Sequence, residues 1–193
     1  MEFKQEKVLV LGAGISGLAA ARLLQSLGAE TTLSDAKQAK DLAVDLTELR
    51  AAGVRILLGE QQEKQLDGVS LVVVSPAVPV CIPLIQAAIA RGIEVISEIE
   101  LAYRLAKAPI YAVTGTNGKT TTVTLLGLLL QTKYGQEHTG VGGNIGVPLC
   151  EEVMRVGHEG CTVAEISSYQ LEAAVDFRPK IAAVLNVTPD HVV

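Results

Sequence analysis

Gly115, Thr116, Asn117, Gly118, Lys119, Thr120 and Thr121 have the types and spacing to hold a nucleoside triphosphate. An apolar run at 110–113 precedes them and a leucine-rich segment at 120–131 follows, which predicts strand, glycine-rich turn and helix. In that setting the N–H groups of the turn and of the first helical turn face phosphate oxygens. Lys119 reaches the terminal phosphates, and the Thr120 hydroxyl is a ligand for Mg²⁺. The loop departs from the ordinary phosphate-loop pattern at one place: Val113 stands where that pattern has a glycine, five positions before Gly118.

A second glycine loop lies near the N-terminus. Gly12, Gly14 and Gly17 fit GxGxxG between a predicted strand at 8–11 and a predicted helix at 16–27. There the first glycine permits a tight turn, the second lets a pyrophosphate approach the backbone, and the third lets helix pack on strand. Asp35 follows Gly17 by 18 residues, at the end of the second predicted strand, where an acid can bond a ribose or base edge. The pattern does not choose among NAD, FAD and UDP, and a plain packing turn would carry the same glycines.

Three further residues carry candidate chemistry. Glu165 ends an apolar strand, the usual place for a second Mg²⁺-holding carboxylate beside a phosphate loop, although a solvated strand-end acid reads the same way. Asn144 sits in a glycine-dense loop at 140–146, and its carboxamide both donates and accepts. His191 follows Asp190 after a strand at 181–185; His138 and His158 read as surface residues.

These loops need a scaffold that presents strand ends. Strands are predicted at 31–34, 54–58, 69–75, 94–96 and 161–166, with helices at 83–91 and 99–106 and a helical spacing of Leu42, Leu46 and Leu49 closed by Gly53. Such alternation predicts helices packed on parallel sheets. The expected architecture is a Rossmann-like domain at 1–108 followed by an incomplete phosphate-loop-type α/β domain at 109–193. The composition agrees: 49% apolar, 18 glycines and no tryptophan.

A net charge of −5 argues against a nucleic-acid partner. Cys81, Cys150 and Cys161 are too scattered for a disulfide framework or zinc site, so free thiols and a cytoplasmic location are expected. Residues 68–90 carry no charge and are long enough to span a bilayer, but Pro76, Pro79 and Pro83 interrupt them. A strand, a loop and a short helix fit better than a membrane span.

The chain resembles the Mur ligases, ATP-dependent amide ligases of peptidoglycan precursor synthesis. The resemblance rests on residues 115–121, 142–146, 165–171 and 186–191, in order, and on Gly12, Gly14, Gly17 and residues 75–77 for the branch that adds D-glutamate to UDP-N-acetylmuramoyl-L-alanine. It implies that residues 115–121 bind ATP and that Thr120, Glu165 and His191 hold Mg²⁺, with Lys119, Glu165 and His191 serving catalysis. It implies that Gly14, Ile15 and Ser16 meet the UDP pyrophosphate, that Asp35, Lys37 and Ala77 lie toward the uracil, and that Asn144 contacts the UDP-sugar.

The implied reaction phosphorylates a carboxylate with ATP and lets an amine displace the phosphate. Family members also carry a carbamylated lysine and a C-terminal domain, and neither is found before Val193. The chain is therefore expected to be part of a longer monomeric enzyme and inactive alone. Two other readings compete: a nicotinamide-dependent oxidoreductase, which leaves residues 115–121 and Glu165 without a task, and a non-catalytic nucleotide-binding module.

Overall fold

The computed structural model describes residues 3–189. Val8 to Leu11 are all buried, because β1 (Lys7–Leu11) runs through the middle of a parallel sheet covered on both faces. Its neighbours are β2 (Glu30–Asp35), β3 (Arg55–Leu58), β4 (Leu71–Val74) and β5 (Glu94–Ser97), in the order β3-β2-β1-β4-β5. Alternate residues feed opposite faces. Val8, Val10, Leu33 and Val73 pack with Ala20, Ala21 and Leu24 of α1 (Ile15–Ser26). Leu9, Leu11, Val72 and Val74 pack with Leu84, Ile85 and Ala88 of α3 (Pro83–Ala90). The uncharged stretch at 68–90 is thus β4, a proline-containing loop and α3. No helix among the described residues is long and apolar enough to cross a membrane.

The second sheet is also parallel. It comprises β6 (Ile110–Thr114), β7 (Thr139–Gly143), β8 (Cys161–Glu165) and β9 (Ile181–Val184), ordered β7-β8-β6-β9. Register brings three strand ends together: Val113 and Gly143 both pair with Glu165. The loops that follow these strands therefore converge at the carboxyl end of the sheet.

Three expectations change. The leucine spacing at 42–49 yields only a 3₁₀ turn at Ala39–Asp41 and α2 (Thr47–Ala51), because the Asp45 carboxylate accepts the Thr47 N–H at 2.9 Å and starts the helix there. The first half of the glycine-dense loop is strand β7. Its outer edge is closed by side chains of α6 (Leu149–Val156): Glu152 accepts the Val141 N–H at 3.1 Å, and Arg155 donates to the Thr139 carbonyl at 2.9 Å. Helix α6 itself, and the short α7 (Ser168–Leu171), were not expected.

One apolar cluster joins the sheets. Ile99 and Ala102 of α4 (Glu98–Leu105) pack with Ile110, Ala112, Leu149, Cys150 and Val153. Within this interface Glu98 is 1% exposed. Its Oε1 accepts the Cys150 N–H at 2.7 Å, and its Oε2 has no hydrogen-bond partner among the described residues. Burial, reinforced by Glu151, raises its pKa despite the Cys150 N–H. A raised folded-state pKa gives a contribution that is complete below the unfolded value of about 4.3 and is lost as pH rises through the folded value. Glu98→Gln is expected to remove that loss. The wild type minus variant difference in unfolding free energy, measured by urea titration from pH 4 upward, should fall with rising pH; a flat difference would refute the assignment.

Candidate functional site

The loop after β6 is held open by a distant segment. Asn186 Oδ1 accepts the Asn117 N–H at 2.9 Å, and Asn186 Nδ2 donates to the Asn117 carbonyl at 3.0 Å. The Thr116 hydroxyl donates to the Thr188 carbonyl at 3.1 Å and accepts the Thr188 N–H at 3.0 Å. Gly118, with a left-handed φ of 84°, turns the chain into the 16-residue α5 (Lys119–Tyr134) with no side chain capping the helix. The uncapped N-terminus leaves donors and a positive dipole end for an anion. Lys119 Nζ donates to the Gly115 and Thr116 carbonyls at 2.6 and 3.0 Å. A cleft of about 470 Å³ opens above, lined in part by Gly115, Thr116, Lys119, Asn144, Ser167 and Asn186.

At the floor lies Glu165, 2% exposed. The Thr120 hydroxyl donates to its Oε2 and Asn144 Nδ2 to its Oε1, each at 2.8 Å. The Asn144 N–H also donates to the Glu165 carbonyl at 2.8 Å. A hydroxyl and a carboxylate are hard oxygen donors suited to Mg²⁺, which characteristically completes its shell with water and substrate phosphates. No cluster of three or more His, Cys, Asp or Glu among the described residues would form a dedicated metal cage.

The first sheet offers a second cleft where the loops after β1 and β4 meet, the switch point of its strand order. Gly17 is required by packing: an added Cβ would collide with the Gly12 carbonyl oxygen. Ser75 Oγ closes the same contact, donating to that oxygen at 3.0 Å. Gly14 differs, because a Cβ there would meet nothing within 4 Å. The open space beside it is a cleft of about 250 Å³, lined by Gly14, Ile15, Ser16, Ser75, Pro76 and Ala77 from one sheet and by Gly143, Asn144, Gly146, Pro148 and Gln170 from the other. Asn144 thus borders both clefts.

Residues 6–97 match the MurD-like N-terminal domain of the Mur ligases, and residues 113–192 match the Mur ligase middle domain. The chain belongs to the Mur ligase family. It is 50% identical over 190 residues to the UDP-N-acetylmuramoylalanine--D-glutamate ligase of Pelotomaculum thermopropionicum, covering 98% of this chain and 41% of that protein. It is 47% identical over 191 residues to the ligase of the same name from Caldanaerobacter subterraneus, covering 99% of this chain and 42% of that protein. The chain therefore spans about two fifths of the length of these relatives. The fold matches a solved UDP-N-acetylmuramate:L-alanyl-gamma-D-glutamyl-meso-diaminopimelate ligase from Neisseria meningitides, with a TM-score of 0.60 at 23% identity over 97% of this chain and 62% of the other.

Within this Mur ligase scaffold the expected site residues fall into groups. Gly115, Thr116, Lys119 and Asn144 share the first cleft, and Thr120 and Glu165 meet beneath it. Asn117 is tied to Asn186, while Gly118 and Thr121 belong to the turn and to α5. Gly14, Ile15, Ser16, Ala77 and Asn144 share the second cleft. Asp35 and Lys37 do not line it. Asp35 Oδ2 accepts the Ala13 N–H at 2.7 Å and Oδ1 accepts the Lys37 N–H at 2.8 Å, so the carboxylate braces the glycine loop. His191 lies outside the described residues. Asn186 was given no role from sequence; its signal, an asparagine just past an apolar strand, is weak until the strand is known to lie beside β6.

Proposed function

We propose that this chain forms the substrate-binding and nucleotide-binding part of an ATP-dependent ligase that joins D-glutamate to UDP-N-acetylmuramoyl-L-alanine, with units at 1–108 and 109–193. The observation that carries the reading is the Thr120–Glu165–Asn144 cluster, set where an anion-seeking loop and a second nucleotide-type loop open side by side. ATP fits the first cleft and the UDP end of the substrate fits the second, through the backbone N–H groups of Ile15 and Ser16. An L-alanine carboxylate oxygen attacks the γ-phosphorus, the bond to the β–γ bridging oxygen breaks, and ADP leaves. The D-glutamate amine then attacks the acyl phosphate, loses a proton, and phosphate leaves.

Phosphoryl transfer of this kind depends mainly on positioning and charge neutralisation. Lys119 supplies positive charge beside the terminal phosphates. Mg²⁺, held by Thr120 and Glu165 with His191 toward a second ion, would supply the rest. A cytoplasmic, monomeric enzyme suits these substrates.

The reading predicts ligation only with further chain. The relatives are more than twice as long. Leu125, Leu128 and Leu129 of α5 and Ile181 and Val184 of β9 are exposed apolar surface of the kind that further chain covers. The test is thermal denaturation of the 193-residue chain. UDP-N-acetylmuramoyl-L-alanine at about 100 times its Kd should raise Tm by roughly 5–10 °C, and NADH should not. ADP release on adding D-glutamate should be undetectable. Stabilisation by NADH alone would favour an oxidoreductase.

A further inference from the structure

We propose that Asn144 couples the two clefts, so that substrate in the second cleft strengthens metal–nucleotide binding in the first. The inference rests on the assignment of ATP and UDP-substrate to these clefts. Asn144 is the residue common to both linings. Its backbone and its side chain are both anchored to Glu165, at 2.8 Å in each case. One carboxamide N–H is used in that contact. The second N–H and the carbonyl oxygen have no partner among the described residues, and the residue lines both clefts.

The Glu165 carboxylate has one oxygen toward Asn144 and the other toward Thr120. Asn144 is thus a positioning residue for the oxygen that shares a metal with Thr120, much as outer-shell partners orient metal ligands elsewhere. Asn144 is an exposed residue whose carboxamide is tied at a single donor, so it still has freedom to lose. A phosphate or sugar oxygen in the second cleft that bonds the free N–H fixes the carboxamide plane, and with it the Glu165 carboxylate. The metal then meets a pre-ordered pair and binds with less ordering cost. By linkage, metal–nucleotide must tighten UDP-substrate binding by the same factor.

The probes are Mn²⁺ with a non-hydrolysable ATP analogue, followed by electron paramagnetic resonance of free Mn²⁺, and UDP-N-acetylmuramoyl-L-alanine. For the unmutated chain, saturating UDP-substrate should tighten Mn²⁺–nucleotide binding roughly fivefold or more. In Asn144→Ala and Asn144→Ser the tightening should vanish; both substitutions are at an exposed position, and circular dichroism checks the fold. Gly14→Ala adds a methyl to the second cleft alone, so it should weaken UDP-substrate binding yet leave the tightening intact at saturation. Tightening that survives in both Asn144 variants overturns the proposal. If both ligands bind the unmutated chain independently, the coupling alone falls. If neither binds, the functional reading falls and the coupling falls with it. A crystal structure of Asn144→Ala gives a ligand-free check: Glu165 should turn from Thr120, and an unmoved carboxylate counts against the positioning role.

Discussion

Glu100→Ala will lower the unfolding free energy by about 3–5 kcal/mol, the range for removing one partner of a buried charged network. Glu100 is fully buried. Its Oε2 accepts three consecutive N–H groups, from Val175, Asp176 and Phe177, at 2.9, 2.9 and 2.8 Å. Its Oε1 accepts Arg104 Nε at 2.8 Å. Alanine strands these donors together and leaves a cavity between α4 and the turn before β9. The loss extends beyond one turn, because α4 follows the first sheet whereas 175–177 lead into the second. Phe177 also packs edge-on against Tyr103 of α4, with centroids 5.7 Å apart. Glu100→Gln keeps the shape but gives up the charge on the acceptor and presents N–H groups to donors, so a loss of about 1.5–3 kcal/mol is expected. Urea midpoints at constant m-value measure both. A loss below 1 kcal/mol for Glu100→Ala would show that water satisfies these N–H groups.

What could be read in the sequence follows from the range of the interactions involved. Lys119, Thr120 and the turn before them act through neighbours in the chain, so their spacing carried the chemistry. Glu165 was legible only as an acid closing an apolar strand; its bonds with Thr120 and Asn144 were not. Asp35 shows the same limit. Its spacing from the glycine loop fits a ribose-binding acid; because β2 lies beside β1, the carboxylate also accepts the Ala13 N–H and braces the loop. That outcome depends on strand order, which spacing does not encode. The loop clamp by Asn186 is a contact across 69 residues and was invisible for the same reason. Glycines misled in a different way. Residues 140–143 look like a loop, yet α6 packs so closely that a Cβ on Gly140 would stand 3.0 Å from Glu152, Thr162 and Val156. Close packing, not looseness, accounts for the glycine there. Helix α6 was within reach: Leu149, Cys150, Val153 and Val156 are buried at helical spacing.

Gly14→Ala and Gly17→Ala will separate the ligand-binding use of the first loop from its packing use. Gly17→Ala drives a methyl into the Gly12 carbonyl and toward Ser75 Oγ, so α1 must lift from β1. The helix buries Ala19, Ala20, Ala21 and Leu24, and any lift breaks that layer. A stability loss of at least about 3 kcal/mol is expected, at the upper end for overpacking. Gly14 has backbone angles of −79° and 177°, open to any residue, and free space where the methyl would go. Its stability should stay within about 1 kcal/mol of wild type, since a slightly poorer cap offsets a less flexible unfolded chain. The methyl does enter the 250 Å³ cleft, at the point where a pyrophosphate must approach the backbone. UDP-N-acetylmuramoyl-L-alanine should then bind at least tenfold more weakly, a loss of about 1.4 kcal/mol or more by calorimetric titration. Unchanged affinity in a folded Gly14→Ala would leave the first loop as a packing turn. The substrate's nucleotide end would then have to be sought on the other wall of the cleft, at Gly143, Gly146 and Pro148.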